Sequence, residues 1–381
     1  MDLFQVSTVC TLLVTGMGIA LLGSIKVSLA RKLQIDEARV GGLISIFGFA
    51  MVPVMLAAGF LTDLINKQAV LTVGALLMAV SLILLARVRK YGLALLAVLF
   101  LSVAWSAQIN VVNVIQFKAF HGDPAYVTNL ANFFFGLGAF LTPLVVAFML
   151  HRAGFSLAMF ALAAFVTLSA VLVINVDFAT VYPAVAKAGS EAMPGVGVLL
   201  GDPIMWLAAM ALFFFSPVEI SVSAWITTYL DENGVSERAA AGLLSVYWLV
   251  YMLARLTAAF ALPTGVEKIF IVFASLACIA ILAGMVFSHK RIMAITMVIL
   301  AGIVFGPLFP TIIAVLLGHF EPSLHGRAVG LFFAIGGIGW TIIPMAIGAY
   351  AKRTSVQRGF LMAMLSAVCL TGVAVALLFT P

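Results

Sequence analysis

The stretch Asn129-Leu130-Ala131-Asn132-Phe133-Phe134-Phe135-Gly136-Leu137-Gly138, running on to Pro143, has a second copy late in the chain. There Phe332-Phe333 is followed by Gly337, Gly339 and Pro344, offset by about 200 residues. Gly42-Leu43-Ile44-Ser45 and Gly242-Leu243-Leu244-Ser245 repeat at the same spacing, as do Glu37 and Glu237 just before them. Several matches near one offset, on corresponding segments, mark an internal duplication. The chain of 381 residues therefore reads as two similar halves.

Composition says what solvent those halves live in. Hydrophobic residues make up 64% and charged residues 9%, with a mean hydropathy of +1.23. A soluble domain carries about 25% charged residues because its surface faces water. Apolar runs recur from Val6 to Leu378, many reaching the roughly 20 residues that cross about 30 Å of hydrocarbon. Backbone polar groups cannot go unpaired in lipid, so these runs are expected to be helices.

Polar and Pro/Gly breaks divide the chain into twelve predicted spans. The first six cover about 5–30, 41–62, 69–87, 91–117, 128–150 and 155–176. The second six cover about 204–230, 239–262, 268–288, 291–318, 326–350 and 357–379. The expected organisation is an N-terminal six-helix bundle over 1–176, a linker over 177–202 and a C-terminal bundle over 203–381. The linker, Asp177 to Asp202, holds Pro183, Lys187, Glu191 and Pro194. Parallel repeats of this kind place a substrate site near the bilayer midplane. The first run is too long for a signal sequence and lacks a basic leader.

The whole pattern resembles the major facilitator superfamily. Gly59-Phe60-Leu61-Thr62-Asp63 followed by Lys67 is similar to that family's loop motif, although Leu64 stands where a basic residue is usual. The resemblance implies that Asp63 braces a gate together with Gly59 and Lys67; on the residues alone, Asp63 also reads as a solvated loop acid. Asn129–Gly138 and Glu219-Ile220-Ser221-Val222-Ser223-Ala224-Trp225-Ile226-Thr227-Thr228-Tyr229-Leu230 resemble the fucose permease and sodium-dependent glucose transporter branch. That likeness implies alternating-access transport of a sugar. The first and fourth spans here lack Asp and Glu, so the proton-coupling scheme of fucose permease does not carry over.

Polar side chains within a span are costly and mark functional candidates. Glu219 is the carboxylate well inside a span, on a helical face with Ser216, Ser223 and Thr227. It suits exchange of a proton or help in holding Na⁺, the two coupling ions considered; an interhelical hydrogen bond or ion pair is the structural alternative. Ser106, Asn110 and Asn113 form a stripe, and Asn129 and Asn132 another; amides match a hydroxyl-rich solute and also glue helices together. Gln108 projects to the other side of its span. Trp225, Trp340, Trp248 and Tyr251 offer faces for a sugar ring, or pack against lipid and neighbouring helices. Lys26 and Arg255 either line a cavity, where they would favour an organic anion, or snorkel to headgroups. The cluster Gly302, Gly306, Pro307 and Pro310 and the one from Gly336 to Pro344 read as packing and bending sites.

Other classes are excluded. The net charge of +6 is scattered as helix-end anchors at a lipid surface, so nucleic acid is not an expected partner. His121, His151, His289, His319 and His325 lie in different connections without ligand spacing, and Cys10, Cys278 and Cys369 sit singly in apolar segments. Neither a metal, a cofactor nor enzyme chemistry is expected. The expected product is a monomeric transporter of a small molecule in the plasma (inner) membrane, with cytoplasmic termini. Export of an amphipathic or lipid-like compound is the alternative, given the apolar lining and many Phe residues. The topology conflicts with loop charge: with termini inside, Arg31, Lys32, Arg39, Arg87, Arg89, Lys90 and Arg152 fall outside, against Lys67, Lys118, Lys187, Lys268 and Arg327 inside.

Overall fold

The computed structural model describes the chain apart from residues 1, 183–195 and 352, and leaves out the side chains of 37, 38, 64, 341–345, 348 and 351. Pro183, Lys187, Glu191 and Pro194 of the predicted linker therefore lie outside the described residues, as do the side chains of Glu37, Leu64 and Pro344.

All regular structure among the described residues is helical. In chain order the helices are α1 Leu3–Leu33, α2 Glu37–Leu64, α3 Lys67–Ala86, α4 Tyr91–Ala119, α5 Pro124–Ile174, α6 Phe178–Val181 and α7 Val196–Gly201. They continue as α8 Pro203–Glu232, α9 Glu237–Ala261, α10 Glu267–Phe287, α11 Arg291–Phe305, α12 Leu308–His319, α13 His325–Ala351 and α14 Val356–Phe379. Some helix starts carry side-chain caps that satisfy the first free N–H groups. Asp2 caps α1 in a capping box with Gln5, Asp36 caps α2, and Asp202 caps α8 just before Pro203.

Ten spans are long and apolar enough to cross a membrane among the described residues. The two predicted spans 128–150 and 155–176 are the two helical arms of α5, which meet at Gly154, where the backbone leaves helical geometry (φ 76°). Glycine alone adopts that conformation without a Cβ clash. The predicted tenth span divides instead into α11 and α12 at Gly306-Pro307, because Pro307 and Pro310 lack the N–H that would continue the ladder. Two arms of α5, and α13 with its 27 residues, bring the ten spans into accord with twelve.

The chain forms two compact units. The first comprises Met1–His121, Phe134–Pro194 and Pro322–Gly330; the second comprises Gly122–Phe133, Gly195–Glu321 and Leu331–Pro381. Inside the first, α4 packs on α1, α2 and α3. Inside the second, α8 packs on α9, α12 and α14, and α10 on α11 and α14. The duplication is visible in the packing. A Cβ on Gly138 would strike the carbonyl of Leu13 on α1, and one on Gly339 would strike the carbonyl of Phe213 on α8. Leu13 and Phe213 are themselves 200 residues apart (213 less 13). Large apolar side chains such as Phe273 (67%) and Phe287 (69%) stay exposed, which a lipid surround explains.

Candidate functional site

In the second unit, α9 carries Tyr247, Tyr251 and Arg255 at successive turns, so their side chains stack along one face. Arg255 is 4% exposed, and each of its three guanidinium nitrogens donates a hydrogen bond. Nε donates to the carbonyl of Gly306 at 2.9 Å, Nη1 to the carbonyl of Asn132 at 3.2 Å and Nη2 to the Tyr251 hydroxyl at 2.8 Å. It also lies over the Tyr251 ring, 4.5 Å from the centroid. The Tyr251 hydroxyl in turn donates to Glu219 Oε1 on α8. A chain of donors thus runs from a buried cation through a phenol to a carboxylate that remains partly accessible. Gly306 accepts here because the residue four positions on is Pro310, which has no N–H to take up its carbonyl.

Arg255 thus does not snorkel: it is a buried tie linking α9, the α11–α12 break and α5. Trp248 packs edge-on against Tyr251 with centroids 5.4 Å apart and keeps a face exposed. Trp225 is half-buried on α8, and Trp340 packs on Phe333 at 5.9 Å. Ser216 and Ser223 bond their own helix, at the carbonyls of Leu212 and Ile220. The amide of Asn129 reaches Thr311 Oγ1 at 3.4 Å as well as the Ala125 carbonyl, and its own oxygen has no partner among the described residues. Asn132 bonds the Thr128 carbonyl.

Asn110 and Asn113 belong to the first unit. Asn113 bonds back to Ile109, whereas both amide atoms of Asn110 are buried without a partner among the described residues. Ser106 Oγ and Gln108 Oε1 share that condition. Buried amides of this kind cost free energy unless something satisfies them. Lys26 is half-buried on α1 in the same unit and has an interaction partner.

Asp63 is not a solvated loop acid, being 5% exposed. Its Oδ1 accepts from the backbone N–H of Gly326, and its Oδ2 from the N–H of Arg327, each at 3.0 Å. Arg327 Nε adds a 2.8 Å ion pair. The carboxylate therefore sits on the positive N-terminal end of α13, within the first unit. Gly59 lies one turn earlier on α2, and a Cβ there would collide with Gly326 and Gly330. Lys67 Nζ donates to the Thr62 carbonyl at 3.2 Å and lies over the Tyr182 ring.

Sequence reading missed several of these partners. Arg327, Thr311 and the Gly306 carbonyl lie far along the chain from Asp63, Asn129 and Arg255, so no local spacing announces them. Tyr247, buried against Trp248 and Tyr251, was legible from its turn spacing on α9. His319 lies 2.8 Å from Asp202, a pairing that local spacing does not announce.

Residues 8–344 match the family described as Major Facilitator Superfamily. A Bacillus subtilis protein described as an uncharacterized MFS-type transporter, YfkL, is 24% identical over 353 residues, covering 91% of this chain and 88% of that protein. Bypass of stop codon protein 6 of Saccharomyces cerevisiae is 27% identical over 179 residues, 44% of this chain; the match spans only 36% of the yeast protein. Among solved structures, the MFS transporter FucP in its outward conformation superposes with a TM-score of 0.80 at 16% identity, covering 97% of each chain. The human organic anion transporter MFSD10 gives 0.77 at 14% identity, covering 98% of this chain and 99% of that one. The proton:xylose symporter XylE gives 0.78 at 12%, covering 100% and 95%. At these identities the structures speak for the fold alone. This chain belongs to the Major Facilitator Superfamily, as an integral membrane transporter of small molecules and not an enzyme.

Proposed function

We propose that the chain is a secondary transporter for a small polar solute, with a sugar the favoured class, working by alternating access. The observation that carries this reading is the Glu219–Tyr251–Arg255 chain. Arg255 spends a donor from each guanidinium nitrogen on protein acceptors, so its work is to orient the phenol and leave Glu219 as the partly accessible polar terminus. A carboxylate so held can bind a proton or Na⁺, or accept from a sugar hydroxyl. Trp248 beside it, with Trp225 and Trp340, supplies faces for a sugar ring, and Asn129 and Asn132 of the same unit supply amides; in the first unit, Asn110 and Asn113 are amide candidates of their own. Asn110 has both amide atoms unspent.

The test is uptake of labelled hexoses and pentoses into proteoliposomes with an imposed proton or sodium gradient. Glu219→Gln is expected to cut gradient-driven accumulation at least about tenfold, a loss of about 1.4 kcal/mol of coupling. Undiminished, still cation-dependent accumulation would remove Glu219 from the coupling role.

Transport of an organic anion is the second reading, favoured by the buried cation Arg255 and by the similarity to an organic anion transporter. A competition series of sugars against carboxylates in the same vesicles separates the two. We further propose a monomer in the plasma (inner) membrane with cytoplasmic termini and no organic cofactor.

A further inference from the structure

At the end of α1, where α5 breaks at Gly154, the first unit holds an open cleft of about 750 Å³. Arg31, Lys32 and His151 line it together with Ser28, Phe155 and Ser156, and no Asp or Glu is among its lining residues. Lys32 Nζ donates to the Ala86 carbonyl at 2.7 Å and to Ser156 Oγ at 2.9 Å, which leaves one of its three N–H groups unspent. Arg89 acts electrostatically on Lys32, adding a like charge. Asp36, on the connection that follows α1, is occupied in capping α2 through the N–H of Arg39. Positive charge is thus gathered with no carboxylate in the cleft to balance it.

The surroundings give the occupant a second property. Lys32 lies over Phe155 at 4.7 Å, Arg152 over Phe148 and Arg87 over Phe160, each at 5.8 Å, so three cations rest on rings of the two arms of α5. Phe148 (64%) and Leu157 (55%) lie exposed on either side of the break. A ligand suited to this place carries an anionic group for the cleft and apolar chains for the flanking helix surface. We propose that the cleft is a binding site for the phosphate headgroup of an anionic phospholipid, with the acyl chains lying along α5. Lipid rather than free phosphate is the occupant, because the cleft opens at the end of a membrane-spanning helix beside side chains that only hydrocarbon would cover.

The protein is purified and placed in phosphatidylcholine nanodiscs containing roughly one-fifth phosphatidylglycerol, a charge density within the range of anionic leaflets. Native mass spectrometry then reads the lipid retained. Wild type is expected to hold phosphatidylglycerol in excess of its bulk share, and Arg31→Gln to lower that excess about fivefold, the effect of one interfacial cation. Arg31 is exposed, so this variant is expected to keep the wild-type melting temperature. Arg238→Gln, which removes an exposed cation from the second unit, is expected to leave the excess unchanged. No enrichment in wild type, or an equal loss in both variants, would overturn the assignment in favour of general surface attraction. Inorganic phosphate at millimolar level stabilising wild type but not Arg31→Gln would overturn the lipid assignment and name a soluble anion instead.

Discussion

Asp63 and Tyr251 show how a single side chain sets the behaviour of its surroundings. Asp63 satisfies two backbone N–H groups at the start of α13 and a guanidinium that is itself buried, so Asp63→Asn removes the carboxylate charge from that buried pair. Losing one partner of a buried pair costs about 3–5 kcal/mol. The expected outcome is a clearly lower melting temperature in detergent, read by thermal unfolding; an unchanged value would mean that water reaches Arg327. At the other site, Tyr251→Phe removes the hydroxyl that joins Arg255 to Glu219. The cost of a buried donor left unmade is about 1–3 kcal/mol. Here it is expected chiefly as transport slowed roughly tenfold or more, with the aromatic packing against Trp248 kept. Uptake at wild-type rate would show that the phenol only fills space.

Helices meet at the glycines that the duplication repeats. Gly138→Ala and Gly339→Ala both drive a methyl into a neighbouring backbone carbonyl, which side-chain adjustment cannot relieve. Forcing α1 from α5, and α8 from α13, is expected to cost about 1–3 kcal/mol in each case. Gly242→Ala is the matching control, since its Cβ would meet open space. There the better helix propensity of Ala is expected to be neutral to stabilising by up to about 1 kcal/mol. Three melting curves check the set; a harmless Gly339→Ala would mean that α13 and α8 can separate freely.

At the scale of the whole molecule, the two compact units interleave along the chain. Residues 122–133, early in the chain, join the second unit, and 322–330, late in it, join the first. Each exchanged stretch carries polar ties: Asn132 and Asn129 to Arg255 and Thr311 in one, Gly326 and Arg327 to Asp63 in the other. Orientation is a property of this scale too. With cytoplasmic termini, an epitope placed after Lys187 is expected to resist protease added to intact cells and to become cleavable on permeabilisation. Cleavage in intact cells would instead turn the basic end of the first unit, with Arg31, Lys32 and Arg152, toward the cytoplasm, as loop charge alone suggests.

Sequence by itself determined the solvent, the helices and their doubling. Hydrocarbon forbids unpaired backbone groups, so an apolar run of sufficient length has one conformation open to it, and the repeat survives as small residues that backbones must approach. Glu219, Tyr251 and Arg255 were legible as candidates because polar groups inside spans are few, and helical spacing put the last two on one face. What each of them binds was not legible. Arg255 meets carbonyls at Gly306 and Asn132, and Asp63 meets α13, across separations of 51, 123 and 263 residues or more. The choice among many equally greasy helices as neighbours is made by packing, with hydrogen bonds reaching across the chain, and no local pattern records it. That physical reason also hid the break at Gly306-Pro307: whether a Pro or Gly bends, divides or merely punctuates a helix depends on which groups wait to take up the freed carbonyls.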